Sequence, residues 1–442
     1  MSLYRELFYS SEVNELFSDQ NTVAAMLVAE SSLAQAQAEV GIISKESADI
    51  ISNCCQIDFI DIEKLKKDIK LGGNAAIPLV QQLTKVVKTK DFEASKFVHF
   101  GATSQDIVDT GSILQIAQYI NVLESKLLAL KAELIKITKK HKNTVMVGRT
   151  LLQQARPITF GLKTSAWLEG VCRSIDRLVE MKARLLVVQL SGAVGSQNKN
   201  ISNDVINSFA QFLGLSPSFS WQSQRDNLNE FGSKLGILTG SLGKIARDVS
   251  LLMQTEVGEV FEGAAEGKGG SSTMPHKRNP VTCAAILANA TRVPHLVGSM
   301  LSAMIQEHER SAGNWHAEWE VLTEIMLLTA GSLEKTVELI EGLEVDEKRM
   351  LTNIEITQGL IFAENVSLAL ASKIGKIQAH ELVEKACKTA ISKKKHLKEV
   401  LIENNIELEN LDELFNPENS IGNSMDIVYA ILLSQSRKDA KL

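Results

Sequence analysis

Proline is scarce in this chain: seven residues in 442, with none between Pro78 and Pro157, between Pro157 and Pro217, or between Pro294 and Pro417. An interior proline removes a hydrogen bond and breaks a helix, so these gaps leave room for long ones. Aromatic residues are also few, at 5%. The five cysteines (Cys54, Cys55, Cys172, Cys283 and Cys387) are odd in number and lack metal-ligand spacing. They predict reduced thiols in a cytoplasmic protein. No apolar run reaches the roughly 18 residues of a membrane span. The opening Met-Ser-Leu-Tyr-Arg-Glu-Leu lacks the basic-then-apolar layout of a secretory signal. A basic excess is missing too: the net charge of −6 argues against nucleic acid as the main partner. A small anionic substrate remains compatible, because local charge in a cleft matters more than the total.

What is present is a soluble globular composition, 44% apolar and 23% charged, in a chain longer than one core supports. Ile113, Ile116, Ile120, Leu123, Leu127, Leu130, Leu134 and Ile137 recur at spacings of three and four. That stripe predicts a helix of seven or more turns with one buried face, and Glu124, Lys126, Lys131, Glu133 and Lys136 suit its solvated side. Sustained period-two alternation is absent, so the expected class is all-α. Three domains are expected: 1–111 with shorter amphipathic helices, 112–350 with the long ones, and 351–442 with short helices again. The Lys393-Lys-Lys395 run reads as a solvated helix face, and Asn416-Pro417 as a turn.

Four segments carry residues suited to chemistry. In the first, Gly258, Gly263, Gly267, Gly269 and Gly270 lead into Ser-Ser-Thr-Met-Pro-His-Lys-Arg-Asn-Pro at 271–280. Glycines followed by two stiffening prolines describe a mobile 258–280 arm with a rigid polar tip, as in a catalytic lid. The Ser271 hydroxyl is a poor base unless positive charge or aligned donors stabilise its alkoxide; Lys277 lies six residues on, and the Asn279 amide can donate to a carboxylate. In the second, His99 to Asp106, Thr103, Ser104 and Gln105 are compact donors for a carboxylate, while Asp106 can cap the following helix or orient a donor. His99 taken alone reads as structural. The third is Gly148-Arg-Thr-Leu-Leu-Gln-Gln-Ala-Arg-Pro157, with Gln153 and Arg156 as candidate contacts. The fourth runs from Gln306 to Trp319. Arg310 there can grip a carboxylate in bidentate fashion, Trp315 and Trp319 suit a core, and His308 and His316 lack a third metal ligand.

Residues 270–280 match the GSSxMPxKxNP signature of the fumarase/aspartase superfamily at every fixed position, and Thr103-Ser104-Gln105-Asp106 resembles its TSxD-type substrate clamp. The stretch 308–319 is similar to the HERxAGxWxAEW segment of the bacterial 3-carboxy-cis,cis-muconate cycloisomerases. The resemblance extends from Phe17-Ser18-Asp19 and the helix around Glu30 to Gly359-Leu-Ile-Phe-Ala-Glu-Asn365. It implies a three-domain helical homotetramer with a 20-helix core, and active sites assembled from segments of three subunits. It also implies a small tricarboxylate substrate, closure of a lactone, and no metal or organic cofactor. Ser271 and Lys277 become the expected catalytic residues. His99, Thr103, Ser104, Gln105, Gln153, Arg156, Asn279 and Arg310 become the expected substrate contacts.

One departure from the superfamily pattern is informative. Where relatives carry a histidine after Arg-Thr as general acid, this chain has Leu151. Expulsion of an amine calls for such a donor; a carboxylate, whose acid has a pKa of about 4, leaves without one. Adenylosuccinate lyase is the nearest enzyme alternative, and Leu151 counts against it. A non-catalytic crystallin-like protein is the alternative from another class, and the presence of Ser271, Lys277 and Asn279 counts against that.

Overall fold

Helices account for most of this chain. The computed structural model describes residues 3–264, 269–270, 274 and 276–439. Five long helices dominate them: Ser104–Lys140, Phe160–Leu185, Asp226–Leu252, Val281–Ala303 and Asn314–Glu341. Among the described residues the strands form only two small two-stranded sheets. The all-α expectation holds.

The Ser104–Lys140 helix is the one announced by the apolar stripe. It runs 37 residues, about 55 Å at 1.5 Å per residue. All eight stripe residues are buried, none more than 8% exposed. Its start is fixed reciprocally: Thr103 N–H donates to Asp106 Oδ2 at 3.0 Å, and Asp106 N–H donates back to the Thr103 carbonyl. Lys131 departs from the expected solvated face, since it is buried. Its position explains this, because residue 131 follows Leu127 by four and precedes Leu134 by three, and so shares the stripe's spacing. Its aliphatic stem suits such a place.

Proline spacing is a less strict guide than the sequence suggests. Pro294 lies inside the Val281–Ala303 helix, where it forgoes one backbone hydrogen bond, a change that costs about 3 kcal/mol in an isolated helix. The packing of this largely apolar helix overrides that local cost.

The fold gathers into two compact units, each built from three stretches of chain. The first comprises Met1–Leu127, Arg173–Gly243 and Ala285–Lys335. One of its cores joins Leu27, Leu33, Ile51, Leu79, Leu83 and Phe209. Serine caps set the helices that supply it: Ser18 accepts from Asn21 N–H before Asp19–Glu39, and Ser44 from Ser47 N–H before Lys45–Cys54. The second unit comprises Leu128–Cys172, Lys244–Ala284 and Thr336–Leu442. Val366, Leu370, Val383, Leu397, Val400 and Leu401 form one of its cores.

The second unit also holds an antiparallel hairpin of Val145–Thr150 and Gln153–Thr159. Gly148 faces Arg156 and Arg149 faces Gln154, which leaves Ala155 as the extra residue of a bulge. Glycine is required at 148, since a Cβ there would sit 2.8 Å from the Arg156 carbonyl oxygen. Leu151 and Leu152 make the turn with φ of 49° and 65°. Two positive φ values define a type I′ turn, a geometry that favours Asn-Gly over two leucines.

Candidate active site

Three of the sequence-predicted residues converge in the first unit. Arg310 Nη2 donates to Thr103 Oγ1 at 2.8 Å and to the Ala193 carbonyl at 3.2 Å, and its Nε donates to Gln105 Oε1 at 3.1 Å. The guanidinium is half-buried and lies 6.0 Å from the Trp315 ring centroid. A planar cation fixed by a hydroxyl and an amide oxygen is well suited to a carboxylate. Ser104, at the first turn of the long helix, is half-buried beside Thr103 in sequence.

Gln105 orients this arginine instead of offering its own donors. The residue is buried, and its Nε2 donates to the Gln222 carbonyl at 2.8 Å and to Asp109 Oδ2 at 3.1 Å. Asp106 both caps its helix and organises the adjoining loop. Its carboxylate accepts from the N–H groups of Ser191 at 3.0 Å and Gly192 at 2.9 Å, and from Gln189 Nε2 at 3.1 Å. Burial pushes its pKa up, and these donors oppose the shift.

Below this layer is an ion cluster that sequence reasoning missed. Arg225 Nη1 meets Asp109 Oδ2 at 2.6 Å, and its Nη2 meets Glu318 Oε2 at 2.6 Å. All three side chains are buried. Asp109 also accepts from Trp315 Nε1 at 3.0 Å. Burial raises the Glu318 pKa, with Arg225 opposing. The only sequence signal for the cluster was the placement of charged residues at otherwise apolar spacings. Glu30 was missed as well: its Oε1 lies 2.6 Å from His99 Nδ1. His308 and His316 are exposed, and among the described residues no group of His, Cys, Asp and Glu is arranged to hold a metal ion.

The remaining predicted residues belong to the second unit. Leu151 and Leu152, at the hairpin tip, are 97% and 79% exposed. Gln153 is exposed opposite Thr150. Gln154, three residues after Leu151, has its Nε2 committed to the Asn353 carbonyl at 3.0 Å. Arg156 pairs with Glu364 at 3.1 Å and donates to the Ser420 carbonyl. Arg149 grips the buried Glu259 in bidentate fashion at 2.9 and 2.6 Å, and Asn353 Nδ2 donates to the same carboxylate at 2.7 Å. That ties the hairpin to the approach of the glycine-rich segment.

Ser271 lies outside the described residues, and so does much of the 258–280 arm around it. The ends of that arm are firmly anchored. Glu262 caps the Val281–Ala303 helix, accepting from Thr282 N–H at 3.1 Å and Cys283 N–H at 2.8 Å. Asn279 N–H donates to the Gly269 carbonyl at 2.9 Å, and a Cβ on Gly269 would lie 2.7 Å from the Asn279 carbonyl oxygen. Arg278 forms a fork on Glu344, with both bonds at 2.9 Å. Lys277 is exposed and Asn279 half-buried.

Comparison with known proteins places these motifs in one lineage. A family model described as Lyase matches residues 8–295, and one described as Adenylosuccinate lyase C-terminus matches 359–431. The 3-carboxy-cis,cis-muconate cycloisomerase of Acinetobacter baylyi is 46% identical, covering 99% of both chains. That of Pseudomonas aeruginosa is 45% identical over 95% of this chain and 93% of its own. The crystal structure of 3-carboxy-cis,cis-muconate lactonizing enzyme from Pseudomonas putida superposes with a TM-score of 0.93 at 43% identity, covering 98% of this chain and 99% of that one. Family model, full-length relatives and fold agree, and the chain belongs to the fumarase/aspartase superfamily of lyases.

Proposed function

We propose that this protein is a 3-carboxy-cis,cis-muconate cycloisomerase acting in the cytoplasm on a small tricarboxylate. The observation that carries this reading is the 46% identity to such an enzyme along 99% of both chains. The site supports it chemically. In lactone closure a substrate carboxylate oxygen bonds to one carbon of a double bond. The displaced electron pair moves onto the carbon beside another carboxylate, giving an aci-carboxylate that needs aligned donors. Thr103, Ser104, Lys277 and Asn279 are those donors on this reading, with Arg310 held by Thr103 and Gln105 as a carboxylate anchor. His99, Gln153 and Arg156 are further substrate contacts. Ser271 delivers the proton that completes the new C–H bond; in reverse, its alkoxide is the base. The carboxylate leaves in that reverse direction without a general acid, in keeping with leucine at 151.

Three domains at 1–111, 112–350 and 351–442 and a homotetramer with active sites shared among three subunits complete the reading. A second reading, adenylosuccinate lyase, is favoured by the family match at 359–431. It requires a proton donor for the departing nitrogen that Leu151 does not supply.

An ultraviolet assay separates the two. The purified protein is given 3-carboxy-cis,cis-muconate and, in parallel, adenylosuccinate. Rapid loss of diene absorbance with a carboxymuconolactone identified by NMR is the expected result. Fumarate release from adenylosuccinate without diene loss would overturn the cycloisomerase reading and the argument from Leu151.

A further inference from the structure

Glu30 stands within the Asp19–Glu39 helix with a side chain that has no solvent exposure. A carboxylate taken out of water is costly unless a cation or several donors face it. Glu30 Oε1 lies 2.6 Å from His99 Nδ1, while Oε2 has no hydrogen-bond partner among the described residues. The imidazole of His99 therefore supplies the compensation that Glu30 receives.

The backbone holds that ring in place. His99 has a φ of 58°, a region that residues other than glycine enter at a cost. Gln37 Nε2, from the same helix as Glu30, donates to the carbonyls of Phe100 at 2.6 Å and Asn200 at 2.9 Å, which fixes the chain just past the ring. With Nδ1 facing a carboxylate, Nε2 is the ring atom left for a ligand.

We propose that Glu30 is a positioning residue, holding His99 as a cation whose Nε2–H receives one carboxylate of the substrate in addition to the anchor at Arg310. The proposal rests on the tricarboxylate reading above, since a trianion calls for more than one fixed cation. The groups facing the pair agree with it. Burial disfavours a charged ring, yet the charge and hydrogen bond of Glu30, with the charge of Asp106 at the start of the Ser104–Lys140 helix, raise the His99 pKa above its ordinary value. Cys55, after the Lys45–Cys54 helix, faces Glu30 as a thiol whose pKa burial pushes up, so it adds no charge at neutral pH. The sign follows directly. A histidine with a raised pKa is cationic below that value, so the contact is present below it and is lost as pH climbs through it.

The test combines a titration with kinetics on the full-length protein. Nitrogen-15-labelled histidine is followed by NMR, with the His99 signal identified by its loss in His99→Gln. The natural chain should show a His99 midpoint above the ordinary histidine value, and Glu30→Gln should lower it. In the diene assay Glu30→Gln should raise KM about tenfold, with a smaller change in kcat, and should shift the pH at which KM begins to rise downward with the His99 midpoint. An unchanged midpoint in Glu30→Gln overturns the pairing; a lowered midpoint with unchanged KM overturns the substrate contact. Should Glu30→Gln not fold, His99→Gln decides the matter, since a KM equal to that of the natural chain overturns the proposal. If the natural chain fails to consume the diene, the cycloisomerase reading falls and the substrate contact with it, while the titration still decides the pairing.

Discussion

Arg225 shows how a single buried residue can organise the groups around it. Its guanidinium spans two buried carboxylates, Asp109 and Glu318, and stacks 4.8 Å from the Trp221 ring centroid. Asp109 in turn holds Trp315 and Gln105, and Gln105 holds Arg310. Loss of the arginine leaves two carboxylates in low dielectric with no counter-charge. Arg225→Ala is therefore expected to destabilise the protein by about 3–5 kcal/mol. Urea unfolding at fixed protein concentration measures this, and a variant with the midpoint of the natural chain would show that the cluster adds nothing to stability. Little of this layer was legible beforehand. Thr103, Gln105 and Arg310 stood out as donors by residue type. Apart from Asp109, four residues after Gln105, the partners that bring them together lie between 117 and 207 residues away along the chain, and no local spacing reports such a pairing.

At the scale of the element, the hairpin of residues 145–159 concentrates strain where the superfamily pattern is broken. Leu151 and Leu152 adopt left-handed backbone and expose almost their whole side chains. Each non-glycine residue in such a conformation costs of the order of 1 kcal/mol or more. Replacing the pair by Leu151→Asn and Leu152→Gly gives the turn the residues its geometry favours. The double variant is expected to raise stability by about 1 kcal/mol, read as a higher thermal midpoint at fixed protein concentration. A lower midpoint would mean that the leucines make apolar contacts in the assembled protein that outweigh the turn strain. The long helices were far easier to read. A repeat of three and four marks a buried face directly, which is why the stripe from Ile113 to Ile137 held at every position. Lys131 was misjudged because residue type was weighed above position, and tertiary packing tolerates it as it tolerates Pro294 inside the Val281–Ala303 helix.

For the whole molecule, the proposed assembly makes a direct claim about mass. Light scattering of the purified protein is expected to give about four times the 48.4 kDa chain. Ser271→Ala is expected to keep that mass while turnover falls by orders of magnitude. A variant of correct mass and undiminished turnover would remove Ser271 from the chemistry; a monomeric natural chain would remove the shared active site. Among the described residues no helix is long and apolar enough to cross a membrane.

The sequence by itself determined the helical class, the course of the longest helix, the superfamily signature at 270–280 and the substitution of Leu151, because each is written in residues close together in the chain. Tertiary structure alone decided that Glu30 faces His99, that Arg225 bridges Asp109 and Glu318, and that Gln105 spends its donors on the scaffold. Periodicity reports which face of a helix is buried. Which polar group meets another on that face depends on helices brought together across long stretches of chain, where burial makes each unmet partner costly and so selects the pairs that form.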